Sequence, residues 1–195
     1  MTPDEIKLVR GLKARNAESF TLFYREYGGR IYRFCRRLCG NDTDAEDLTQ
    51  DVFLAAYQGA EQFEGRSSLS TWLYRIAVYR WRNLRRIRKP VTIPLDARQN
   101  MLSSDPTHSG LETISLNRAL TALPENLREA FLLVKGEGLL CREAAEALGI
   151  PEGTLKSRVY AATIRLQQLL TLDEEPLVAK SSLSIRHKTE VCDEM

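Results

Sequence analysis

Residues 63–89 read FEGRSSLSTWLYRIAVYRWRNLRRIRK, and this stretch decides the predicted fold. Residues 65–95 contain no acidic side chain, and aromatic side chains are interspersed among the basic ones. The basic residues are Arg66, Arg75, Arg80, Arg82, Arg85, Arg86, Arg88 and Lys89, and the aromatic residues are Trp72, Tyr74, Tyr79 and Trp81. Because cations neutralise phosphates and aromatic rings stack on unpaired bases, this mixture favours a surface for nucleic acid with exposed bases. The alternative is a solvated basic helix with a few aromatic core residues.

The segment just before this stretch carries the opposite charge. Residues 41–64 contain no lysine or arginine. Their acidic residues are Asp42, Asp44, Glu46, Asp47, Asp51, Glu61 and Glu64. Such a surface repels a phosphate backbone, so we expect it to face a protein. One domain is therefore predicted to present an acidic surface to a protein and a basic, aromatic surface to nucleic acid.

The composition is that of a globular protein of modest size. The chain has 195 residues, a hydrophobic content of 43% and a formal net charge of +2, which is typical of one or two small domains. The apolar runs are too short to span a membrane, and the charged N-terminus lacks a signal-peptide core. We therefore expect a cytoplasmic protein without membrane insertion.

The cysteines form no CxxC pair, which is typical of a reducing compartment. They are Cys35, Cys39, Cys141 and Cys192. Cys35 and Cys39 are four residues apart on a predicted helix, where they either fill the core or form part of a metal or redox sensor. His108 and His187 are the only imidazoles. We expect no metal and no cofactor.

Helical periodicity begins at the N-terminus. Thr2 followed by Pro3 and two acids predicts the start of a first helix. Apolar residues at three- and four-residue steps predict a second helix over about residues 17–38. Gly28 and Gly29 fall inside it, and we expect either a bend or a close packing contact there.

Two more helices complete the first half. Asp42 or Thr43 is expected to cap a third helix, with Phe53 at the edge of its buried stripe. Ser68 or Ser70 is expected to cap the long basic helix, which runs to Arg88. Its predicted core side is Leu69, Trp72, Leu73, Ile76, Ala77 and Leu84. No alternating strand pattern is convincing, so the predicted fold class is all-α.

A break separates the two halves of the chain. Residues 90–110 hold three prolines and no apolar period, which predicts an interdomain linker. Helical patterns resume at Leu111, and Pro124 begins a further helix that ends at two glycines. After Leu170 the apolar pattern fades, so residues 173–195 are predicted to be a tail that is disordered or is ordered by a partner.

Residues 141–170 carry the spacing of a helix-turn-helix. Ala145 precedes Gly149 by four residues and Leu155 follows it by six. The small residue permits close helix crossing, the glycine forms the turn and the leucine seats the second helix. Lys156, Ser157 and Tyr160 are predicted to point outward, with Arg158 flanking them. Polar and cationic side chains of this kind donate to phosphates and base edges.

Taken together, the two halves resemble the bacterial RNA polymerase sigma factors of the extracytoplasmic-function group. The resemblance covers about residues 17–170. It rests on residues 44–53 (DAEDLTQDVF), residues 70–77 (STWLYRIA), Leu123-Pro124 and residues 153–158 (GTLKSR). It implies two small helical domains joined by a flexible linker. The implied bounds are 1–89 for a region-2-like domain, 90–110 for the linker and 111–172 for a region-4-like domain.

The resemblance also implies partners and site residues. In this family the acidic helix docks on the clamp helices of the largest polymerase subunit, which here implies Asp44, Glu46, Asp47, Gln50, Asp51 and Phe53. For recognition and melting of the promoter −10 element, the resemblance implies a role for Phe63, Arg66, Ser67, Ser68, Trp72, Arg75, Tyr79, Arg80, Arg82, Asn83 and Arg86. Recognition of the −35 duplex implies Glu152, Thr154, Lys156, Ser157, Arg158 and Tyr160. The flap of the second polymerase subunit and an anti-sigma protein are further implied partners.

Other classes of protein explain less of the sequence. A self-standing helix-turn-helix regulator accounts for residues 141–170 but gives the acidic and basic segments no task. An enzyme is not supported, because no glycine-rich phosphate loop, metal-ligand cluster or nucleophile motif is present, and we expect no catalytic residue.

Overall fold

The computed structural model describes residues 2–88 and 111–173. Within these ranges the ordered elements are helical and no strand occurs, which confirms the all-α prediction. The helices are α1 (Pro3–Lys13), α2 (Ala17–Cys39), α3 (Asp42–Gly59), α4 (Leu69–Arg88), α5 (Leu111–Ala122), α6 (Glu125–Phe131), α7 (Cys141–Leu148) and α8 (Glu152–Asp173). A 3₁₀ turn at Ala60–Gln62 follows α3, and a π-helical turn at Leu132–Gly136 continues α6. The predicted linker and the predicted tail beyond residue 173 lie outside the described residues.

The first helix begins where the sequence predicts it. The Thr2 hydroxyl accepts the Glu5 N–H at 3.2 Å, and the Glu5 carboxylate accepts the Thr2 N–H at 2.8 Å. This reciprocal pair satisfies two N–H groups that lack partners at a helix start. Helix α2 then runs unbroken through Gly28 and Gly29 to a left-handed Gly40 at φ 84°. The two glycines therefore mark no break in α2.

The start of α3 differs from the prediction. Asn41, not Asp42 or Thr43, is the N-cap, and its side-chain oxygen accepts the Asp44 N–H at 2.8 Å. Left-handed Gly40 ends α2 and is followed directly by the extended backbone of Asn41, so α3 starts one or two residues earlier than predicted. The prediction that Phe53 lies at the edge of the buried stripe is wrong, because this side chain is only 2% exposed.

Helix α4 crosses the core of the first half. Ser68 caps it by accepting the Thr71 N–H at 3.1 Å, as predicted. Of the predicted core side, Leu69, Leu73 and Ala77 are fully buried, whereas Trp72, Ile76 and Leu84 are only half-buried. The prediction missed three buried hydrophobic residues, which are Tyr74, Val78 and Trp81, and buried Thr71. Burying a large apolar side chain contributes about 1.5–3 kcal/mol, so these residues fix how α4 is rotated against α2 and α3.

The second half contains the predicted helix-turn-helix. Helix α7 ends at Gly149, whose left-handed backbone at φ 67° turns the chain into α8. Leu155, Ala162 and Leu166 seat α8 on the core and are at most 4% exposed. Arg158 is half-buried beside this face, which agrees with its predicted flanking position.

The two halves pack against each other. Arg128 of α6 is 8% exposed and donates to Leu38 O at 2.7 Å, in the last turn of α2. It also donates to Thr121 O and to Leu123 O at 3.1 Å, at the end of α5. The last carbonyls of a helix lack partners within the helix and attract cations. One buried guanidinium therefore joins the ends of two helices from different halves.

Candidate nucleic-acid interface

One face of α4 exposes the cations and the aromatic ring that nucleic acid would need. Arg75, Tyr79 and Arg86 are exposed, and steps of four and seven residues place them on one side of the helix. Tyr79 is 63% exposed, although large aromatic rings are usually buried in a folded domain. This side of α4 combines positive charge with a ring that is free to stack.

Two of the four aromatic residues in the basic stretch do not belong to that face. Tyr74 is 0% exposed and Trp81 is 1% exposed, so neither ring can stack on a base. Burial and a hydrogen bond to Glu137 raise the pKa of the Tyr74 hydroxyl. For Tyr74 and Trp81 the alternative, aromatic core residues, is therefore the correct one.

In the loop before α4, most of the predicted site residues are buried or already hydrogen-bonded. Phe63 is only 5% exposed and its ring lies 4.8 Å from that of half-buried Trp72. The Ser68 hydroxyl is occupied as the N-cap of α4, whereas Ser67 is half-buried. Arg66 is exposed and pairs with Glu64. Of the predicted loop residues, Arg66 is thus the one presented to solvent, whereas Phe63 packs on Trp72.

The remaining predicted residues of α4 are half-buried or are paired with a carboxylate. Arg80 and Asn83 are half-buried. Arg82 is engaged with Glu129 of α6, with Nε 2.8 Å from Oε1. This carboxylate raises the pKa of the Arg82 guanidinium. Arg82 is thus exposed, like Arg75, Tyr79 and Arg86, but it is paired with a carboxylate of the second half.

A second exposed surface lies on α3. Its predicted residues Glu46, Asp47, Gln50 and Asp51 are all exposed, whereas Asp44 is half-buried beside its cap partner Asn41. Phe53 is buried against Phe23, with ring centroids 5.2 Å apart, so its side chain does not reach the acidic surface.

Sequence reasoning missed two apolar residues beside the acidic surface. Leu54 is 54% exposed and follows Asp47 and Asp51 at helical spacing. Tyr24 of α2 is 48% exposed, and its ring packs on Phe53 at 4.8 Å. The spacing of Leu54 from Asp51 was a signal in the sequence. Acidic residues around exposed apolar ones are typical of a protein-binding surface.

The third exposed surface is the N-terminal part of α8. Glu152, Lys156, Ser157 and Tyr160 are exposed, whereas Thr154 and Arg158 are half-buried. Lys156 Nζ lies 2.6 Å from Glu152 Oε1, and this carboxylate raises the pKa of the lysine. The Ser157 hydroxyl donates to Thr154 O at 2.9 Å. The helix presents a charged and hydroxyl-bearing side of the kind that enters a major groove.

The cysteines of α2 form part of the core. Cys35 is fully buried, and burial raises the pKa of its thiol to about 12. Cys39 is half-buried and packs against the same core. A thiol whose pKa is raised in this way is a poor metal ligand and a poor nucleophile, which favours the core-filling interpretation. The described residues contain no group of three potential metal ligands, and none of their helices is long and apolar enough to cross a membrane.

Comparison with known proteins identifies both halves. The family model for Sigma-70 region 2 matches residues 23–90, and the model for Sigma-70 region 4 matches residues 113–166. The ECF RNA polymerase sigma factor SigM of Mycobacterium tuberculosis is 32% identical over 167 residues, which cover 85% of this chain and 84% of SigM. The chain belongs to the ECF group of RNA polymerase sigma factors.

Other sigma factors support the same assignment. The ECF RNA polymerase sigma-E factor of Escherichia coli is 30% identical over 169 residues, or 80% of this chain and 88% of that protein. Among solved structures, the sigma factor RpoE in complex with the anti-sigma factor NepR from Bartonella quintana has a TM-score of 0.68. It is 29% identical, and the similarity covers 80% of this chain and 99% of that one. CnrH in complex with the cytosolic domain of CnrY has a TM-score of 0.66 at 26% identity, over 85% and 96% of the two chains.

Proposed function

We propose that this ECF sigma factor binds core RNA polymerase and directs promoter recognition, DNA melting and transcription initiation. The observation that carries this proposal is the division of surfaces. Within residues 2–88, α3 exposes an acidic and apolar surface and α4 exposes a basic and aromatic one. A self-standing helix-turn-helix regulator is not favoured, because it would use neither surface. Sigma factors are not enzymes, so the polymerase supplies the chemistry.

The surface on α3 is proposed to dock on the clamp helices of the largest polymerase subunit. Asp47 and Asp51 supply the charge, and Leu54 and Tyr24 add the apolar contact that sequence reasoning missed. Charge sets the orientation and rate of encounter, whereas burial of the apolar side chains stabilises the complex. The second domain is proposed to meet the flap of the second subunit.

The exposed face of α4 is proposed to bind the −10 element as it melts. Arg75 and Arg86 are placed to neutralise phosphates on either side of Tyr79. A base that leaves the duplex loses its stacking partner, and a ring such as that of Tyr79 restores about 1–3 kcal/mol per base. Melting would then be driven by binding of the single strand.

The exposed side of α8 is proposed to bind the −35 element in the major groove. Lys156 and Ser157 lie on its exposed face, and Tyr160 is 70% exposed one turn further along. The Glu152 carboxylate beside Lys156 would have to release the lysine before that amine contacts a phosphate.

We also propose the domain bounds 1–89 and 111–172.

We further propose a cytoplasmic location and an anti-sigma partner. The location is that of the polymerase on which the chain would act. RpoE of Bartonella quintana and CnrH, which share this fold, are both in complexes with anti-sigma proteins. An anti-sigma protein would keep the domains away from polymerase until a signal releases them.

Run-off transcription with purified bacterial core polymerase on the genomic DNA of the source organism tests the proposed function. New, discrete start sites that require the chain are the expected result. If core polymerase binds the chain but gains no start sites, promoter selection by this chain is refuted. If the chain binds duplex DNA tightly and does not bind polymerase, the self-standing regulator replaces the proposal.

A further inference from the structure

A set of charged pairs joins the first domain to the second. Arg82 of α4 donates from Nε to Glu129 Oε1 at 2.8 Å and from Nη2 to Glu129 Oε2 at 2.5 Å. Arg85, one turn further along, donates from Nε and Nη2 to Glu125 Oε1 at 3.0 and 2.9 Å. Both glutamates lie on α6, which therefore places two carboxylates on two arginines of the basic helix.

A third carboxylate extends this contact to α2. Glu137, in the turn before α7, accepts a hydrogen bond from the Tyr74 hydroxyl. Its Oε2 lies 3.4 Å from Arg30 Nε and its Oε1 lies 3.6 Å from Arg37 Nη1. The side chain of Glu137 is only 6% exposed and that of Glu129 only 3%. The second domain thus buries carboxylates against cations of the first.

The cations of α4 that pair with glutamates and Arg75 and Arg86, which face solvent, lie on adjacent sides of the helix. At about 100° per residue, Tyr74, Arg82 and Arg85 fall within a sector of about 80°. Arg75 and Arg86 follow in the next sector, which the second domain leaves exposed. The basic helix therefore has one side occupied by glutamates and one side open to solvent.

We propose that Glu125, Glu129 and Glu137 occupy an arginine surface that promoter DNA binds through its phosphates once the domains separate. This surface consists of Arg30, Arg37, Arg82 and Arg85. In this closed state the second domain stands where the phosphates would lie, so domain closure and DNA binding at these arginines exclude each other. The inference rests on the proposed function, and it adds three DNA-binding arginines to Arg82.

The chemistry of the contact allows phosphates to replace the carboxylates on the arginines. Carboxylates and phosphates are both anionic acceptors that pair with the guanidinium fork. On separation Glu129 and Glu137 return to water, so opening leaves no buried charge without a partner. Arg128, which joins the domains beside them, also has a buried Nε with no hydrogen-bond partner. The contact thus contains polar pairs that a dense polyanion competes for, beside a hydrophobic core that includes residues of both domains.

Small-angle X-ray scattering of the full chain tests closure directly. The triple variant Glu125→Gln, Glu129→Gln, Glu137→Gln is expected to have a larger radius of gyration than the wild type. Glu146→Gln is the matched control for the single variant Glu129→Gln. It removes one negative charge from an exposed position on α7, where the described structure shows Glu146 in no ion pair. This control is expected to stay compact.

Binding of a fluorescein-labelled duplex of 30 base pairs, measured by anisotropy without polymerase, tests exclusion. If about a tenth of the wild type is open, full opening raises the apparent affinity about tenfold at low salt. Salt weakens the glutamate pairs as well as the DNA contacts, so this advantage is expected to shrink as salt rises. Glu146→Gln is expected to change the affinity less than about twofold, because it removes only one exposed charge.

Two results would overturn the inference. One is a triple variant that is folded by circular dichroism and as compact as the wild type. The other is an expanded triple variant that binds the duplex no more tightly than its charge change explains. A charge swap, Arg82→Glu with Glu129→Arg, separates closure from net charge. It is expected to be compact whereas each single change is expanded, and an expanded double variant would contradict the pairing.

These outcomes are separate from those of the proposed function. Run-off transcription uses the wild type alone, and its failure would refute the sigma activity. The scattering measurements and the duplex titration would still decide whether the glutamates hold the closed state and block the arginines. Conversely, a wild type that is active in run-off together with an unresponsive triple variant would refute only this inference.

Discussion

Replacing Tyr79 by alanine removes the most exposed aromatic ring of α4 and leaves the core of the domain intact. The ring is 63% exposed, so its loss should change the free energy of unfolding by less than about 0.5 kcal/mol. If one melted base stacks on it, binding of single-stranded DNA loses about 1–3 kcal/mol. That loss corresponds to an affinity about 5- to 150-fold lower.

The assay for Tyr79 is the anisotropy of a promoter fork with an unpaired −10 strand, titrated with reconstituted holoenzyme. Tyr79→Phe is the matched control because it keeps the ring and removes only the hydroxyl, so it should bind within about twofold of the wild type. Thermal denaturation checks that both variants fold. Equal fork affinity for Tyr79→Ala and wild type would refute stacking on this ring.

Three further changes separate the core from the other two surfaces. Trp81→Ala should lower the free energy of unfolding by about 3–5 kcal/mol in chemical denaturation, because the ring is 1% exposed; a loss below about 1 kcal/mol would contradict its core role. Asp47→Lys with Asp51→Lys should weaken association with core polymerase at unchanged thermal stability, and unaltered co-purification would refute that surface. Lys156→Glu should weaken −35 duplex binding in a gel-shift assay while polymerase association persists, and loss of that association would contradict the assignment.

Local patterns in the sequence predicted most of the helices. Thr2 and Ser68 marked two starts because side-chain caps act within three residues, a range that the sequence shows directly. The cap of α3 was misplaced, because Asn41, Asp42 and Thr43 are all cap-forming residues and only the backbone turn at Gly40 selects among them.

The assignment of α4 side chains was less successful, because composition does not show which side of a helix is buried. Trp81 lies four residues after Ala77 and three after Val78, both buried, so helical spacing did contain the signal. Phe53 was misplaced for the same reason. Helical spacing also placed Leu54 beside Asp51, but no pattern in the sequence marked Leu54 as part of the protein-binding surface.

The contact between the domains lies beyond local patterns. Arg82 and Glu129 are 47 residues apart in the sequence, and Tyr74 and Glu137 are 63 apart. No periodicity links residues at such separations, and charges that pair in this way look like solvated surface charges when read singly. Burial of Glu129 and Glu137 becomes visible only once both domains are placed together.

The most direct test of the central claim is permanganate reactivity of thymines at the start sites found by run-off transcription. Core polymerase, the chain and promoter DNA are combined, and each component is omitted in turn. Unpaired thymines are expected within the −10 element only when polymerase and chain are both present, and fewer of them with Tyr79→Ala. A promoter that stays paired with all components present, or that opens without the chain, would contradict it.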